Sequence, residues 1–196
     1  MKINKSSGLL DSATYIPSPN CDDRPSDEMT LTVIHNISLP PGQFGNPYIT
    51  QLFTNKLDPK EHEYFEEIYE LRVSSHLLIG RKAEIVQYVP FHKRAWHAGV
   101  STYLGRSVCN DFSIGIELEG TDDTDFTESQ YQALVEVLKA LVVTYPKLNM
   151  EHITGHEHIA PGRKTDPGPH FDWDRVGRAC QADLPAKAAG SDTVCD

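Results

Sequence analysis

The first candidates for chemistry are three widely separated residues, His35, His156 and Asp166. His35 ends the β-branched apolar run LTVI, His156 follows a glycine that permits close backbone approach, and Asp166 lies in a loop rich in proline and glycine. Two imidazoles and one carboxylate are the ligand set of a catalytic zinc site that keeps one position open for water. A histidine at a strand end is also commonly a hydrogen-bonded packing residue, so the spacing alone leaves both interpretations open.

Glu117 and Lys164 are the candidates for proton transfer and charge stabilisation. Glu117 interrupts the apolar strand SIGIELEG, and charged groups are seldom buried unless they are paired or coordinated. Facing the metal, Glu117 would act as a general base towards water, whereas strand alternation would equally place it on a solvated face. Lys164 would stabilise the oxyanion of a tetrahedral intermediate, or is an ordinary solvated lysine. His158 lies two residues from His156, and we expect only one of them to be a ligand.

The strands that must position these residues are visible as short apolar runs. A strand is predicted over residues 31–34, a second buried strand over 113–118, and a β-hairpin over 76–79 and 84–89. A further short run near Ile153 leads into the loop that contains His156 and Asp166.

Two helices are predicted from their first turns. Thr127 with Gln130 three residues later forms a capping box ahead of an apolar stripe that Pro146 ends. Asp58 followed by Pro59 predicts the start of a second helix. Because strands and helices alternate along the chain, we predict an α/β fold with a central mixed β-sheet flanked by helices.

The length of 196 residues suits a single domain. Residues 1–28 are polar and turn-prone, and we predict an extension packed on or beside the core. The predicted zinc-binding domain covers 29–178, and residues 179–196 are expected to form a flexible tail.

The charge balance excludes some partners. The 18 basic and 28 acidic residues give a net charge of −10, which repels nucleic acid and anionic membranes. No run approaches the roughly 18 apolar residues of a membrane span. The four cysteines show no CxxC spacing, and the first residues contain no apolar signal segment, so we expect reduced thiols and a cytoplasmic protein.

Five longer passages carry a resemblance to a known family. They read VIHNISLPPGQFGNPYITQLF, LRVSSHLLI, KAEIVQYVPFHKRAWHAGVS, CNDFSIGIELEGTD and TGHEHIAPGRKTDPGPHFDW. From about Leu31 to Trp173, they resemble in order and spacing the AmpD-type N-acetylmuramoyl-L-alanine amidases. These amidases belong to a zinc amidase superfamily that also contains phage lysozyme amidases and peptidoglycan recognition proteins.

The resemblance implies a role for each candidate. His35, His156 and Asp166 would hold Zn²⁺, Glu117 would be the catalytic acid and base, and Lys164 would support the oxyanion. The resemblance also selects His156 over His158 as the ligand. The implied reaction is hydrolysis of the amide between the lactyl group of 1,6-anhydro-N-acetylmuramic acid and L-alanine, in cytoplasmic peptidoglycan recycling.

The resemblance further implies the contacts to this anhydromuropeptide substrate. The expected substrate-binding residues are Asn36, Arg72, Trp96, His97 and Ala160. Relatives carry a basic residue immediately before the position of Cys109, whereas this chain has Val108, and Arg106 is the nearest substitute.

Three other functions compete with this interpretation. A peptidoglycan-binding module without catalysis is disfavoured because all three ligand positions, Glu117 and Lys164 are present. An amidase exported to trim intact wall is disfavoured because no leader or disulfide pattern is visible. A zinc peptidase is disfavoured because the chain lacks an HExxH motif.

Overall fold

Two seven-residue strands, Leu31–Ile37 and Ser113–Glu119, form the centre of the fold in the computed structural model, which describes residues 1–181. All residues of the second strand are buried. Strands inside a parallel sheet are covered on both faces, which explains why both segments read as nearly continuous apolar runs. The two strands pair in parallel, and the register places Glu117 opposite His35.

The elements are numbered in chain order. The strands are β1 (Ile3–Asn4), β2 (Leu9–Leu10), β3 (Thr14–Tyr15), β4 (Cys21–Asp23), β5 (Leu31–Ile37), β6 (Leu77–Ile79), β7 (Ile85–Gln87), β8 (Lys93–Ala95), β9 (Thr102–Tyr103), β10 (Arg106–Ser107), β11 (Ser113–Glu119) and β12 (Ile153–Gly155). The helices are α1 (Tyr48–Phe53), α2 (Phe65–Ile68), α3 (Glu128–Thr144), α4 (His156–Ile159) and α5 (Trp173–Gln181). Two 3₁₀ turns cover Cys109–Asp111 and Met150–His152.

The main sheet has the strand order β12-β5-β11-β6-β7-β3. The first four of these strands are parallel, and β7 returns antiparallel to β6 in the predicted hairpin. The prediction of a single α/β domain with a mixed sheet is therefore confirmed. Because β12, β5 and β11 run in the same direction, their carboxyl ends meet at one edge, where ligands of α/β proteins commonly bind.

The two faces of the sheet are covered differently. Helix α3 begins at the predicted capping box, in which the Thr127 hydroxyl accepts from the Gln130 amide at 3.1 Å. Its apolar stripe packs in the same buried cluster as Leu77 and Ile79 of β6. The intervening residue, Leu78, packs instead with residues of α1 and α2 on the opposite face. Both faces of β6 are thus buried.

The predicted helix at Asp58 is wrong over most of its length. The Asp58 carboxylate accepts a hydrogen bond from the backbone N–H of Lys60 at 2.9 Å, as an N-cap does, but no helix continues from it. The amide of Phe65 bonds to His62 at 2.9 Å, three residues back, and only Phe65–Ile68 is α-helical. The N–H of Tyr64 donates to Nδ1 of His62 at 3.1 Å, so a local side-chain bond takes the place of a helical one.

The ends of the chain contribute to the structure. Residues 14–15 add an edge strand beside β7, β4 pairs with β8, and Leu10 is buried in the core. At the other end, α5 crosses the predicted tail boundary at residue 179, and residues 182–196 lie outside the described part of the chain. No helix within residues 1–181 is long and apolar enough to span a membrane.

Candidate active site

Three donor atoms converge at the carboxyl edge of the sheet. His35 lies within β5, His156 begins α4 directly after β12, and Asp166 lies in the following loop. The Nδ1 atoms of the two histidines are 3.0 Å apart, and Asp166 Oδ2 lies 2.9 Å from His35 Nδ1 and 3.1 Å from His156 Nδ1. The fold therefore brings His156 and Asp166 into contact with His35, although they are 121 and 131 residues further along the sequence.

The geometry of this group fits a metal ion. Zinc with ligands at about 2.0–2.1 Å in a tetrahedron places neighbouring donors about 3.3 Å apart, close to the spacing of these three atoms. Facing lone pairs at such distances repel unless a proton or a cation lies between them. Two imidazole nitrogens and one carboxylate oxygen are also donors that zinc accepts.

The pKa values of His35 and Asp166 are shifted in the directions that metal binding needs. Burial lowers the pKa of His35 to about 4, although its hydrogen bond to Asp166 acts in the opposite direction. Burial alone would raise the pKa of Asp166, but hydrogen bonds and charge from His156 and His35 bring it well below its ordinary value. At neutral pH His35 is neutral and Asp166 is ionised, as metal binding requires.

Glu117 does not lie on a solvated face. It is only 7% exposed, because the face of β11 opposite α3 is covered at this edge as well. Its Oε2 atom is buried and has no hydrogen-bond partner among the described residues. Burial and the nearby charge of Asp166 raise the pKa of Glu117 well above its ordinary value, while Lys164 acts in the opposite direction. A buried carboxylate with a free oxygen and a raised pKa is suited to carry a proton.

Lys164 is exposed at the rim of the site. Its backbone N–H donates to the carbonyl of Ala160 at 3.1 Å, which fixes the loop that returns to Asp166. Its charge lowers the pKa of both Glu117 and His35, which places the ammonium group within electrostatic reach of the site.

The neighbouring histidines have other partners. The short helix α4 turns His158 away from the ligands, and its side chain is 58% exposed. His152 is hydrogen-bonded to the Tyr103 hydroxyl at 3.0 Å. His97, expected at the substrate groove, lies behind His35, with its Nδ1 2.9 Å from His35 Nε2 and its Nε2 3.0 Å from Ser113 Oγ.

The expected substrate-binding residues divide into two groups. Asn36 follows His35 and donates to Asp122 at 2.7 Å and to the carbonyl of Pro167 at 3.0 Å. Ala160 ends α4 and is buried, and Trp96 is half-buried on the segment that leads to His97. Asn36 adjoins His35, Ala160 is bonded through its N–H to the carbonyl of His156, and Trp96 adjoins His97 in the chain.

The two arginines have other partners than the candidate ligands. Arg72 is exposed, and its guanidinium donates to backbone carbonyls of residues 69–71. Arg106 pairs with Glu28 at 3.1 Å and lies over the ring of Phe112. Within residues 1–181 neither guanidinium has a hydrogen bond or ion pair to a candidate metal or catalytic residue.

Two contributors were not found from the sequence. The carbonyl of Ala98 lies 3.1 Å from His156 Nε2, and the Arg163 guanidinium donates to the same oxygen at 2.7 Å. A backbone carbonyl has no sequence signal of its own, and nothing in the loop sequence distinguishes Arg163 from the neighbouring Lys164.

The class of the protein follows from its similarity to known proteins. Residues 25–169 match the family model described as N-acetylmuramoyl-L-alanine amidase, and the chain belongs to this family of amide hydrolases. The 1,6-anhydro-N-acetylmuramyl-L-alanine amidase AmpD of Escherichia coli K12 is 62% identical over 169 residues, which cover 86% of this chain and 92% of AmpD. The chain is therefore an enzyme of the N-acetylmuramoyl-L-alanine amidase type.

Solved structures agree with this assignment. A crystal structure of a selenomethionine derivative of AmpD matches with a TM-score of 0.88 and 57% identity, covering 91% of this chain and 99% of the other. The amidase AmiD of E. coli, in complex with the substrate anhydro-N-acetylmuramic acid-L-Ala-D-γ-Glu-L-Lys, matches with a TM-score of 0.57 and 28% identity, covering 90% of this chain and 65% of AmiD.

Proposed function

We propose that the chain is a zinc-dependent amidase that hydrolyses the amide between the lactyl group of 1,6-anhydro-N-acetylmuramic acid and L-alanine of the stem peptide, in cytoplasmic peptidoglycan recycling. The observation that carries the proposal is the triangle of donor atoms from His35, His156 and Asp166 beside the buried Glu117. The identity to AmpD over most of both chains and the substrate bound to AmiD support the choice of substrate.

His35, His156 and Asp166 would hold the metal through Nδ1, Nδ1 and Oδ2. When bound, zinc would supply Lewis acidity to the scissile carbonyl and lower the pKa of a water molecule. Each histidine has its other ring nitrogen bonded inside the fold, which leaves Nδ1 to face the metal.

Glu117 and Lys164 act on the proton and on the developing charge. Glu117 takes the proton of the attacking water. Its Oε2 atom is available for this proton because it has no hydrogen-bond partner among the described residues. The resulting carboxylic acid donates this proton to the leaving nitrogen of L-alanine, since an unprotonated amide nitrogen leaves poorly. The ammonium group of Lys164 stabilises the negative charge that develops on the former carbonyl oxygen.

Substrate binding is assigned to the residues predicted for it, except His97, whose two ring nitrogens are bonded to His35 and Ser113. Asn36 uses its amide hydrogens within the fold, so its amide oxygen is the group that would accept a hydrogen bond from the substrate. Ala160, whose N–H donates to the carbonyl of His156, and Trp96, which precedes His97 in the chain, would contact the sugar and the first peptide unit. Arg72 and Arg106 would meet the peptide end, and a peptide carboxylate would replace the contact between Arg106 and Glu28.

The test is cleavage of a defined anhydromuropeptide by the full chain loaded with zinc. Mass spectrometry should detect the free stem peptide and 1,6-anhydro-N-acetylmuramic acid in equal amounts, and a chelator should abolish the reaction until zinc is restored. Uncut substrate that nevertheless binds would refute the proposal in favour of a receptor. Faster turnover on intact sacculi would contradict the recycling role, and recovery of the native protein outside the cytoplasmic fraction would contradict the location.

A further inference from the structure

Each histidine of the donor triangle has a second ring nitrogen that points into the fold. His35 Nε2 lies 2.9 Å from Nδ1 of His97, and His156 Nε2 lies 3.1 Å from the carbonyl oxygen of Ala98. The two partners are consecutive residues. We propose that the 97–98 segment fixes the tautomer and the orientation of both histidines, with His97 as a positioning residue for His35. This inference rests on the proposed metal site.

The sense of the hydrogen bonds follows from metal binding. If Nδ1 of His35 presents its lone pair to a metal, the ring proton is on Nε2 and is donated to Nδ1 of His97. A neutral His97 then carries its own proton on Nε2 and donates it to the hydroxyl of Ser113, 3.0 Å away. Each ring nitrogen of His35 and His97 is then either a donor or an acceptor. Only one placement of the two ring protons satisfies this hydrogen-bonded series.

His156 is oriented in the same way by the backbone. With Nδ1 facing the metal, its Nε2–H donates to the carbonyl of Ala98. The guanidinium of Arg163 donates to the same oxygen at 2.7 Å and to the carbonyl of Val100 at 2.7 Å. Arg163 therefore holds the acceptor of His156 in place.

The 97–98 segment is itself fixed by two neighbours. Oδ1 of Asn110 accepts from the backbone N–H of His97 at 3.1 Å and of Ala98 at 2.8 Å. Gly115 of β11 leaves the space for the His97 ring, since a Cβ at that position would lie only 2.5 Å from the ring's Cγ. Side chains that hydrogen-bond to metal-ligating histidines are expected to affect metal affinity without touching the metal.

The experiment measures zinc affinity of the full chain by competition with a chromophoric chelator. His97→Phe removes the acceptor for His35 and should weaken zinc binding roughly 10–100-fold. His97→Asn retains an acceptor oxygen near the position of Nδ1 and should recover most of the affinity. Gly115→Ala removes no polar group but displaces the ring, and it should also weaken binding. Ser113→Ala leaves Nδ1 of His97 in place and should cost less than His97→Phe.

Equal zinc affinity of His97→Phe and the parent chain would overturn the inference. A parent chain that binds no zinc would instead refute the proposed metal site, so the two failures are distinguishable. The parent also permits a test that needs no variant. Nitrogen-15 spectra of the zinc-loaded protein should show His97 protonated on Nε2 and a coupling across the hydrogen bond between His35 Nε2 and His97 Nδ1. A proton on Nδ1 of His97 would overturn the inference.

Discussion

Replacing Glu117 by glutamine should move activity and stability in opposite directions. The substitution keeps the size of the side chain and removes both its charge and its ability to accept a proton. Because Glu117 is only 7% exposed, the side-chain amide of glutamine would occupy the same buried space as the carboxylate. General acid and base catalysis typically contributes about 10²–10⁴-fold, so Glu117→Gln should lower kcat by that factor, about 2.7–5.5 kcal/mol of transition-state stabilisation.

In the metal-free protein, the stability effect of the substitution comes from the titration of Glu117. Burial and the charge of Asp166 raise the pKa of Glu117 above its ordinary value of 4.5. A group with a raised pKa in the folded state gives its full stabilising contribution below the unfolded pKa, and this contribution is lost as pH rises through the folded pKa. Glutamine does not titrate, so metal-free Glu117→Gln should exceed the parent in unfolding free energy at pH 7.5. The gain is about 1.4 kcal/mol for each pH unit by which the pKa of Glu117 in the folded state lies above its ordinary value.

The assay combines urea unfolding in the presence of a chelator, between pH 4.5 and 8, with turnover of the zinc-loaded protein. The stability difference between variant and parent should narrow as pH falls towards 4.5 and widen as it rises. Glu117→Asp is the matched control, since it keeps the titrating group and should keep the pH dependence. A variant with parental kcat, or a stability difference that does not change with pH, would refute the reasoning.

The remaining predictions concern the metal, the oxyanion and the main helix. Asp166→Ala should bind less zinc than the parent by elemental analysis while Asp166→Glu retains some, and full occupancy of the alanine variant would contradict its role as ligand. Lys164→Ala should lower kcat more than it raises KM, by tens of fold or more for one lost charge-stabilising group, and Lys164→Arg should recover part of the rate. Thr127→Ala should cost about 1 kcal/mol and lower Tm by about 2–4 °C, because the Gln130 amide loses its acceptor, whereas Thr127→Ser should be near neutral. An unchanged Tm for the alanine variant would show that the cap does not stabilise α3.

The parts of the fold that sequence reasoning predicted are those with strong local patterns. Helix α3 has a capping box and a long apolar stripe, and β11 is an uninterrupted apolar run apart from its glutamates. The helix expected at Asp58 does not form because Tyr64 and Phe65 both donate to His62 in a local turn, a competition that local residue preferences do not resolve. Two-residue strands such as β3 depend on pairing with a distant strand and have no visible pattern.

The site was predictable in its residue types but not in its surroundings. The convergence of His35 with Asp166 depends on the parallel pairing of β12 with β5, which only the fold supplies. The alternation of side chains along β11 does not predict whether Glu117 is buried, because it does not show whether the second face of the strand is covered. The position of His97 behind His35 depends on the space above Gly115 and on the Asn110 side chain, neither of which adjoins it in sequence.

The central claim is that one metal ion is bound by three residues of this chain. X-ray absorption at the zinc edge, combined with an anomalous difference map of crystals of the full protein, tests it most directly. We expect one zinc per chain bound to His35 Nδ1, His156 Nδ1 and Asp166 Oδ2, with an oxygen donor from solvent. A zinc ion bound elsewhere, or the absence of zinc at these three residues in the active enzyme, would contradict the account.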